Sequence, residues 1–448
     1  MFRKLFILTP VLLAAAVLFS GGAFAQVDFK AGAAERIRHE YWKNDFDMDS
    51  HHYDKGDRNY FRFKTSLWGQ AYYDDSVGLF VKLTNENKAY TFYGGNANGG
   101  KDYHYDPDEW VFDNLYFDAK KVFGSDVDLR IGRQDFLGAT GYGEGFLIAD
   151  GTPSDGSRTY YFNAVKASWA MDEQKTLDFI YINNPRDDEF LPVLNGKTVP
   201  TPLNFTEEEA YVFYLKNKVN KDLNVEPYYI YKREGAVGGS GLQGQKGYIN
   251  TLGIFVRQAL APWTLRGQFA DQFGKYGAED RSGMGGYAFV DRDFKETVWT
   301  PTATAGVIYL SGDDKKTGKN EAWDPLFSRY PWYSELYQSS FTGEAGTPAY
   351  WTNLQMYRLG VSANPAKKMK LSLFYNFLRA NQTIPASSTY SYSGRGKDRG
   401  HLEQARVDYA FTKNISAYLL AEYFQPKNVY TSSADDAVFV RTEVQIKF

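Results

Sequence analysis

The 448-residue sequence predicts an all-β fold: a transmembrane antiparallel β-barrel of about 18 strands, with short periplasmic turns and long extracellular loops. Three observations carry that expectation. From about residue 28 onward, segments of roughly ten residues alternate apolar and polar side chains. The connections between them alternate in length. Aromatic residues make up 17% of the chain, with 35 Tyr and 33 Phe, and tyrosine suits a surface that is apolar on one side and wet on the other, such as a bilayer interface.

The chain opens on Met1-Phe2-Arg3-Lys4, an apolar run "LFILTPVLLAAAVLFS" and then "GGAFAQ", in which Ala23-Phe24-Ala25 has the small-x-small form of a signal-peptidase site. Residues 1–25 therefore read as a cleaved signal peptide and residues 26–448 as the barrel domain. A single membrane anchor is the alternative, but the run is short for a span. Losing Arg3 and Lys4 takes the formal charge from −3 by two further units to −5. No later stretch approaches the ~20 consecutive apolar residues of a membrane helix. With 0 Cys, disulfides, thiol chemistry and Cys-based metal sites are excluded. Net acidity and export disfavour nucleic acid as a partner.

The first strand is expected in "DFKAGAAERIRHEYW". In the second, "RNYFRFKTSLWGQAYY", Phe61, Phe63, Thr65, Leu67 and Ala71 share one face and Arg62, Lys64, Ser66 and Gln70 the other. "SVGLFVKLTNE", "RTYYFNAVKASWAM", "TLGIFVRQAL", "WTLRGQFADQ", "MKLSLFYNFLRA" and "ISAYLLAEYFQ" repeat the pattern. The chain ends on "DDAVFVRTEVQIKF", with Val438, Val440, Thr442, Val444, Ile446 and Phe448 opposite Arg441, Glu443, Gln445 and Lys447. Closure of the barrel pairs this last strand with the first, leaving no sheet edge. Among the connections, "YYDDS", "KKVFGSD", "MDEQK", "NKVNKD", "ALAPW", "NPAKK" and "FTKN" are short and turn-like, while those such as "NKAYTFYGGNANGGKDYHYDPDE" and the stretch from Ser311 to Tyr350 are long. A compact soluble domain would not alternate the two.

If apolar faces meet lipid, the opposite faces line the lumen. They would carry Arg62, Lys64, Lys82, Glu86, Asp128, Arg130, Lys166, Asp178, Lys216, Glu226, Arg257, Arg266, Arg358, Arg406, Asp408, Glu422, Arg441, Glu443 and Lys447, with more positive charge than negative. Such a surface attracts anions. The alternative is that the arginines pair with carboxylates across strands and stiffen a filled barrel. Trp68, Tyr228, Phe255, Phe374 and Tyr418 fall on the same faces and could stack on sugar rings. Residues 137–157 and 311–350 are long loops that could fold inward as a plug or gate, which loop sequence alone does not decide. His51-His52 with Asp47, Asp49 and Asp54, or Asp313 with Asp314, could be drawn as acid–base or metal sites. Loop acids of this kind are usually solvated, and no nucleophile elbow, zinc-protease or P-loop pattern is present. No catalytic residue, metal or cofactor is expected.

"DLRIGRQDF", "YGEGFLIADGTPSDGSRTYYFNAVKASW", "IYLSGDDKKTGKNEAWDPLFSRYPWYSEL" and "HLEQARVDYAFTKNISAYLLAEYFQPKNVY" together resemble the alginate export family of outer-membrane barrels, in order, from about residue 110 to the end. Arg133 and Gln134 occupy that family's Gly-Arg-Gln position, Arg158 the arginine opening the next strand, and Asp313 the Ser-Gly-Asp aspartate. The resemblance implies an 18-stranded monomer passing an anionic, uronate-type polysaccharide through an arginine-lined constriction, and it adds Arg133 and Arg158 to the pore-lining candidates. It also implies, as partners, outer-membrane lipid, the barrel assembly machinery, which reads a terminal aromatic such as Phe448, and periplasmic secretion components. A porin for uptake of small sugars or organic anions is the competing reading.

Overall fold

The computed structural model describes residues 27–50, 57–93, 103–137, 141–150, 158–194, 204–235 and 246–448. The expected signal peptide and His51-His52 lie outside them. The described strands of the wall are β1 (Val27–Lys43), β2 (Arg58–Tyr73), β3 (Val77–Tyr93), β4 (Val111–Ala119), β5 (Val127–Gln134), β6 (Phe162–Ala170), β7 (Lys175–Asn184), β8 (Glu208–Asn217) and β9 (Leu223–Glu234). They continue through β10 (Gly247–Leu260), β11 (Trp263–Tyr276), β12 (Glu279–Asp293), β13 (Thr302–Leu310), β14 (Leu354–Ala366), β15 (Met369–Arg379), β16 (Asp398–Ala410), β17 (Ile415–Pro426) and β18 (Ala437–Lys447). Each pairs antiparallel with its chain neighbour, and β18 returns to β1 in a register from Ala34↔Lys447 to Lys43↔Val438. The sheet is a closed 18-strand barrel, in which each strand pairs on both edges, as the bilayer interior demands.

Alternation explains the wall. On β10, Leu252 and Ile254 are 51% and 38% exposed, while Thr251 and Phe255 on either side of them are buried. Outward positions elsewhere carry Leu265, Phe269, Val307, Leu359, Val361, Leu373 and Leu419, a continuous apolar belt for lipid. Aromatic side chains flank it. Trp169, Trp263, Tyr409 and Phe411 are exposed toward the short-turn end, and Tyr211, Tyr248, Tyr309, Tyr357 and Tyr375 toward the other, the two girdles of a membrane barrel. One connection departs from the expected alternation: only Gly277 and Ala278 join β11 to β12 at the long-loop end.

Two loops turn inward. Residues 311–353, between β13 and β14, include α1 (Phe341–Ala345) and bury Trp323, Leu326, Tyr333, Tyr337, Tyr350 and Trp351. Residues 135–137 and 141–150, after β5, bury Phe136, Tyr142 and Phe146. The two meet in a short parallel sheet, Ile148–Asp150 against Phe327–Ser328, where Phe327 N donates to Leu147 O at 3.0 Å and Ser328 Oγ to Gly145 O at 2.6 Å. The Trp323 ring lies so close to β12 that a Cβ on Gly285 would sit 2.6 Å from it, so glycine is required there.

Ionic contacts with opposite walls fix the larger loop. On one side Lys232 Nζ donates to Glu208 (2.7 Å), Glu234 (2.5 Å) and Leu326 O (3.1 Å), and Arg329 donates to Glu234 at 2.5 Å, all buried. On the other, Glu422 accepts Ser334 Oγ at 2.6 Å and Leu336 N at 2.8 Å, Gln404 donates to Tyr333 O at 3.0 Å, and Arg441 pairs with Glu335. Contacts with β8, β9, β16, β17 and β18 place the loop across the lumen.

Candidate functional site

The space enclosed by the wall is the candidate site, and strand register decides which side chains reach it. Arg62, Lys64, Arg130, Arg257, Arg266, Arg358, Arg406 and Arg441 all fall on the face opposite the exposed apolar belt. So do Trp68, Tyr228, Phe255, Phe374 and Tyr418. These cations divide into two settings.

Along β1, β2, β3 and β18 they are locked in pairs. Glu40, on β1, is fully buried and accepts Arg441 Nε at 2.8 Å and Tyr60 OH at 2.6 Å, with Arg38 and Arg62 at 3.7 and 3.6 Å. Glu86, on β3, receives Arg62 Nε at 3.0 Å and also Arg36, while Glu443 receives Arg38. Further round, Arg130 forms a two-pronged pair with Asp118, at 2.7 and 2.9 Å, over the Tyr116 ring. Arg406 is held by Asp408 at 2.6 Å above Tyr418, and Lys64 Nζ lies 5.3 Å above the Tyr160 ring. Along β1, β2, β3 and β18 the lumen arginines thus pair with carboxylates mainly across strands, whereas Arg406 pairs along its own strand.

From β10 to β15 the pairing gives out. A single register row runs Arg257↔Arg266↔Phe289↔Gly306↔Arg358↔Asn376. Arg266 has carboxylate partners, Asp291 at 3.0 Å and the loop residue Glu144 at 2.6 Å. Arg358 has only amide acceptors, Asn376 and Gln404, both at 3.1 Å, and its guanidinium lies 3.9 Å above the Phe374 ring. Among the described residues, neither Arg257 nor Arg358 has a carboxylate within ion-pair distance. Beneath the large inward loop a chamber of about 500 Å³ is lined by Trp332, Arg358, Lys370, Phe374, Gln404 and Arg406. Three cations, stacking rings and an amide group meet there with the carboxylates Glu335, Asp408 and Glu422, a mixed polar and aromatic surface of the kind that holds sugars.

The two cations taken from sequence resemblance stand elsewhere. Arg133 is opposite Leu115 and Asn163, on the face that β4 and β6 turn outward. It is buried there by the loop after β7, bonding Asp188 with two nitrogens at 2.8 and 2.6 Å and Asn163 Oδ1 at 3.0 Å. Arg158 precedes β6 and pairs with Asp108 at 3.0 Å and Glu109 at 3.1 Å. Burial pushes the Glu109 carboxyl up, but its hydrogen bond with Asp108 and the Arg158 charge outweigh this and hold it at about 2. Arg133 fixes a loop to the wall, and Arg158 ties the segment before β6 to the one before β4. Asp313 accepts Glu321 N and pairs with Lys315 within its own loop.

Other residues of the site escaped the sequence reading. Arg36 and Arg38 follow the same period-two spacing as Glu40, so assigning β1 a face would have found them. Glu144, Glu335 and Trp332 come from the inward loops, where no periodicity marks which side chain meets the wall.

Comparison with known proteins agrees with this geometry. The alginate export family model matches residues 28–441. No curated protein sequence matches. Among solved structures, Pseudomonas aeruginosa OccK2 (OpdF) in complex with glucuronate shares 11% identity at a TM-score of 0.57, covering 94% of this chain and 98% of that one. A BenF-like porin from Pseudomonas fluorescens Pf-5 shares 12% identity at a TM-score of 0.58, and Pseudomonas aeruginosa OccK5 (OpdH) 12% at 0.55, each with the same coverage. At such identities the likeness is one of fold. The chain belongs to the alginate export family and is an outer-membrane β-barrel channel.

Proposed function

We propose that this channel passes an anionic, uronate-type polysaccharide resembling alginate by passive electrodiffusion. The observation that carries the reading is the arc from Arg257 to Arg358, in which two lumen arginines have no carboxylate partner among the described residues. An arginine with open donors accepts a carboxylate in a two-pronged geometry. Each contact in water is weak, roughly 0–1 kcal/mol. A polyanion therefore exchanges one cation for the next without a deep trap, which conduction requires. Phe374 and Trp332 beside Arg358 offer faces for sugar rings.

A second reading, uptake of small sugar acids or other organic anions, is favoured by the two inward loops, which narrow the lumen. The glucuronate complex of the structural neighbour OccK2 accords with it. In either case residues 1–25 direct export, and the terminal Phe448 serves recognition by the barrel assembly machinery. Periplasmic secretion components are partners of the exporter reading only.

Single-channel conductance in planar bilayers tests the proposal, with selectivity taken from the reversal potential in a KCl gradient. Anion preference, block by oligo-uronates but not by neutral oligosaccharides of the same length, and loss of both in Arg358→Ala are expected. A cation-selective or unselective pore unmoved by Arg358→Ala would refute the cationic arc. Block by mono-uronates with exclusion of longer chains would favour uptake.

A further inference from the structure

Most ionic contacts between the inward loops and the lumen wall are sealed from water. Arg329 and Glu234 are 1% and 4% exposed at the side chain, Arg399 and Glu344 0% and 11%, Arg441 and Glu335 3% and 18%. The pair Arg266–Glu144 is open, at 24% and 32%. Water and salt weaken such a pair, so it can exchange partners where the sealed ones cannot.

The backbone around Glu144 is arranged to present its carboxylate. Gly143, Glu144 and Gly145 take φ of 51°, 55° and 80° in succession. Glycine tolerates this left-handed region, whereas a glutamate there is strained. Gly143 itself is pressed against Gln268, where an added Cβ would lie 2.5 Å from Oε1. The tight turn delivers Glu144 Oε2 to 2.6 Å from Arg266 Nη1. Directly opposite Arg266 on the neighbouring strand stands Arg257, exposed and without a hydrogen bond or ion pair among the described residues. Like charges facing each other across strands repel, and an anion between them removes that repulsion.

We propose that the Arg257–Arg266 pair is a carboxylate subsite on which Glu144 is the resident counter-ion, and that the carboxylate of a passing sugar acid binds by taking its place. The inference rests on the anion-channel reading above. It adds an internal competitor: the loop supplies the same functional group as the solute, so the subsite is never without a negative charge and releases one anion as the other arrives. Asp291 stays on Arg266 Nε at 3.0 Å throughout and keeps the guanidinium oriented.

The test uses the full-length protein in planar bilayers with Glu144→Gln, Arg266→Gln, the double variant, and Arg233→Gln on the exposed outer rim as control. Glu144→Gln preserves side-chain shape at an exposed site and so spares folding. It is expected to shift the KCl reversal potential toward chloride and to lower the sodium glucuronate concentration for half-block by roughly five-fold or more, the lower end of coupling between linked ligands. Arg266→Gln should act in the opposite sense, and adding Glu144→Gln to it should change little. Unchanged selectivity and block in Glu144→Gln would overturn the proposal, as would an effect that persists undiminished in the Arg266→Gln background. A chloride shift with no glucuronate block in any variant would keep Glu144 as counter-ion and overturn the sugar-acid reading beneath it.

Discussion

The two arcs of the lumen wall use the same residue type to opposite ends. On β1, β2, β3 and β18, Arg36, Arg38, Arg62 and Arg441 converge on Glu40, Glu86 and Glu443. On β10 to β14, Arg257 and Arg358 face the lumen with no carboxylate within ion-pair distance among the described residues. The first arc is a buried salt network whose worth lies in not being broken, since removing one member strands the rest. The second keeps donors free, and its worth lies in what it can still bind. On the proposed reading, the lumen arginines left unpaired, rather than the total number, set selectivity.

The contrast can be broken most severely at Glu40. Glu40→Ala would leave Arg441 without its closest wall carboxylate and Tyr60 without its acceptor, and a loss of about 3–5 kcal/mol is expected, read as a lowered urea midpoint for the folded barrel. Lys232→Met comes next. It leaves Glu208 and Glu234 sharing Arg329 alone, for a loss of about 3 kcal/mol, and should raise single-channel noise as the large loop loosens on that side. Arg358→Gln should reverse the balance of effects, leaving the urea midpoint within about 1 kcal/mol of wild type while anion selectivity falls. If Arg358→Gln destabilised the barrel as much as Glu40→Ala, the division into locked and open arcs would collapse. Arg133→Ala sharpens it from outside: selectivity should not change, and the loop after β7 should become the first site of proteolytic cleavage. Any change of selectivity there would place Arg133 in the ion path.

Much of this was legible in period two. Once Phe61 and Phe63 are assigned to lipid, Arg62 and Lys64 must face inward, and the same logic placed Arg257, Arg266, Arg358, Arg406 and Arg441 on the lumen face. Pairing was not legible, because it depends on the register between strands and on loop residues far away in sequence. Glu144 reaches Arg266 across 122 positions and Glu335 reaches Arg441 across 106. Arg133 shows the other limit. A sequence motif marks that something is held in place there, and only the face of β5 shows that the thing held is a loop outside the wall. The tight Gly277-Ala278 connection likewise interrupts a pattern of loop lengths that held elsewhere.

The seam between β1 and β18 has a meaning in time as well as in space. Arg441 and Glu40 are 401 residues apart in the chain, so part of the salt network joins the first and last strands of the barrel. Contacts of such separation carry the largest entropic cost of closure and form late. Glu40 has Arg38 and Arg62 near it from the first two strands, but its nearest counter-ion, Arg441, arrives only with the last strand, and a chain cut short anywhere before β18 leaves that carboxylate on an open sheet edge without it. An electrostatic lock at the seam doubles as a check that the last strand is in place.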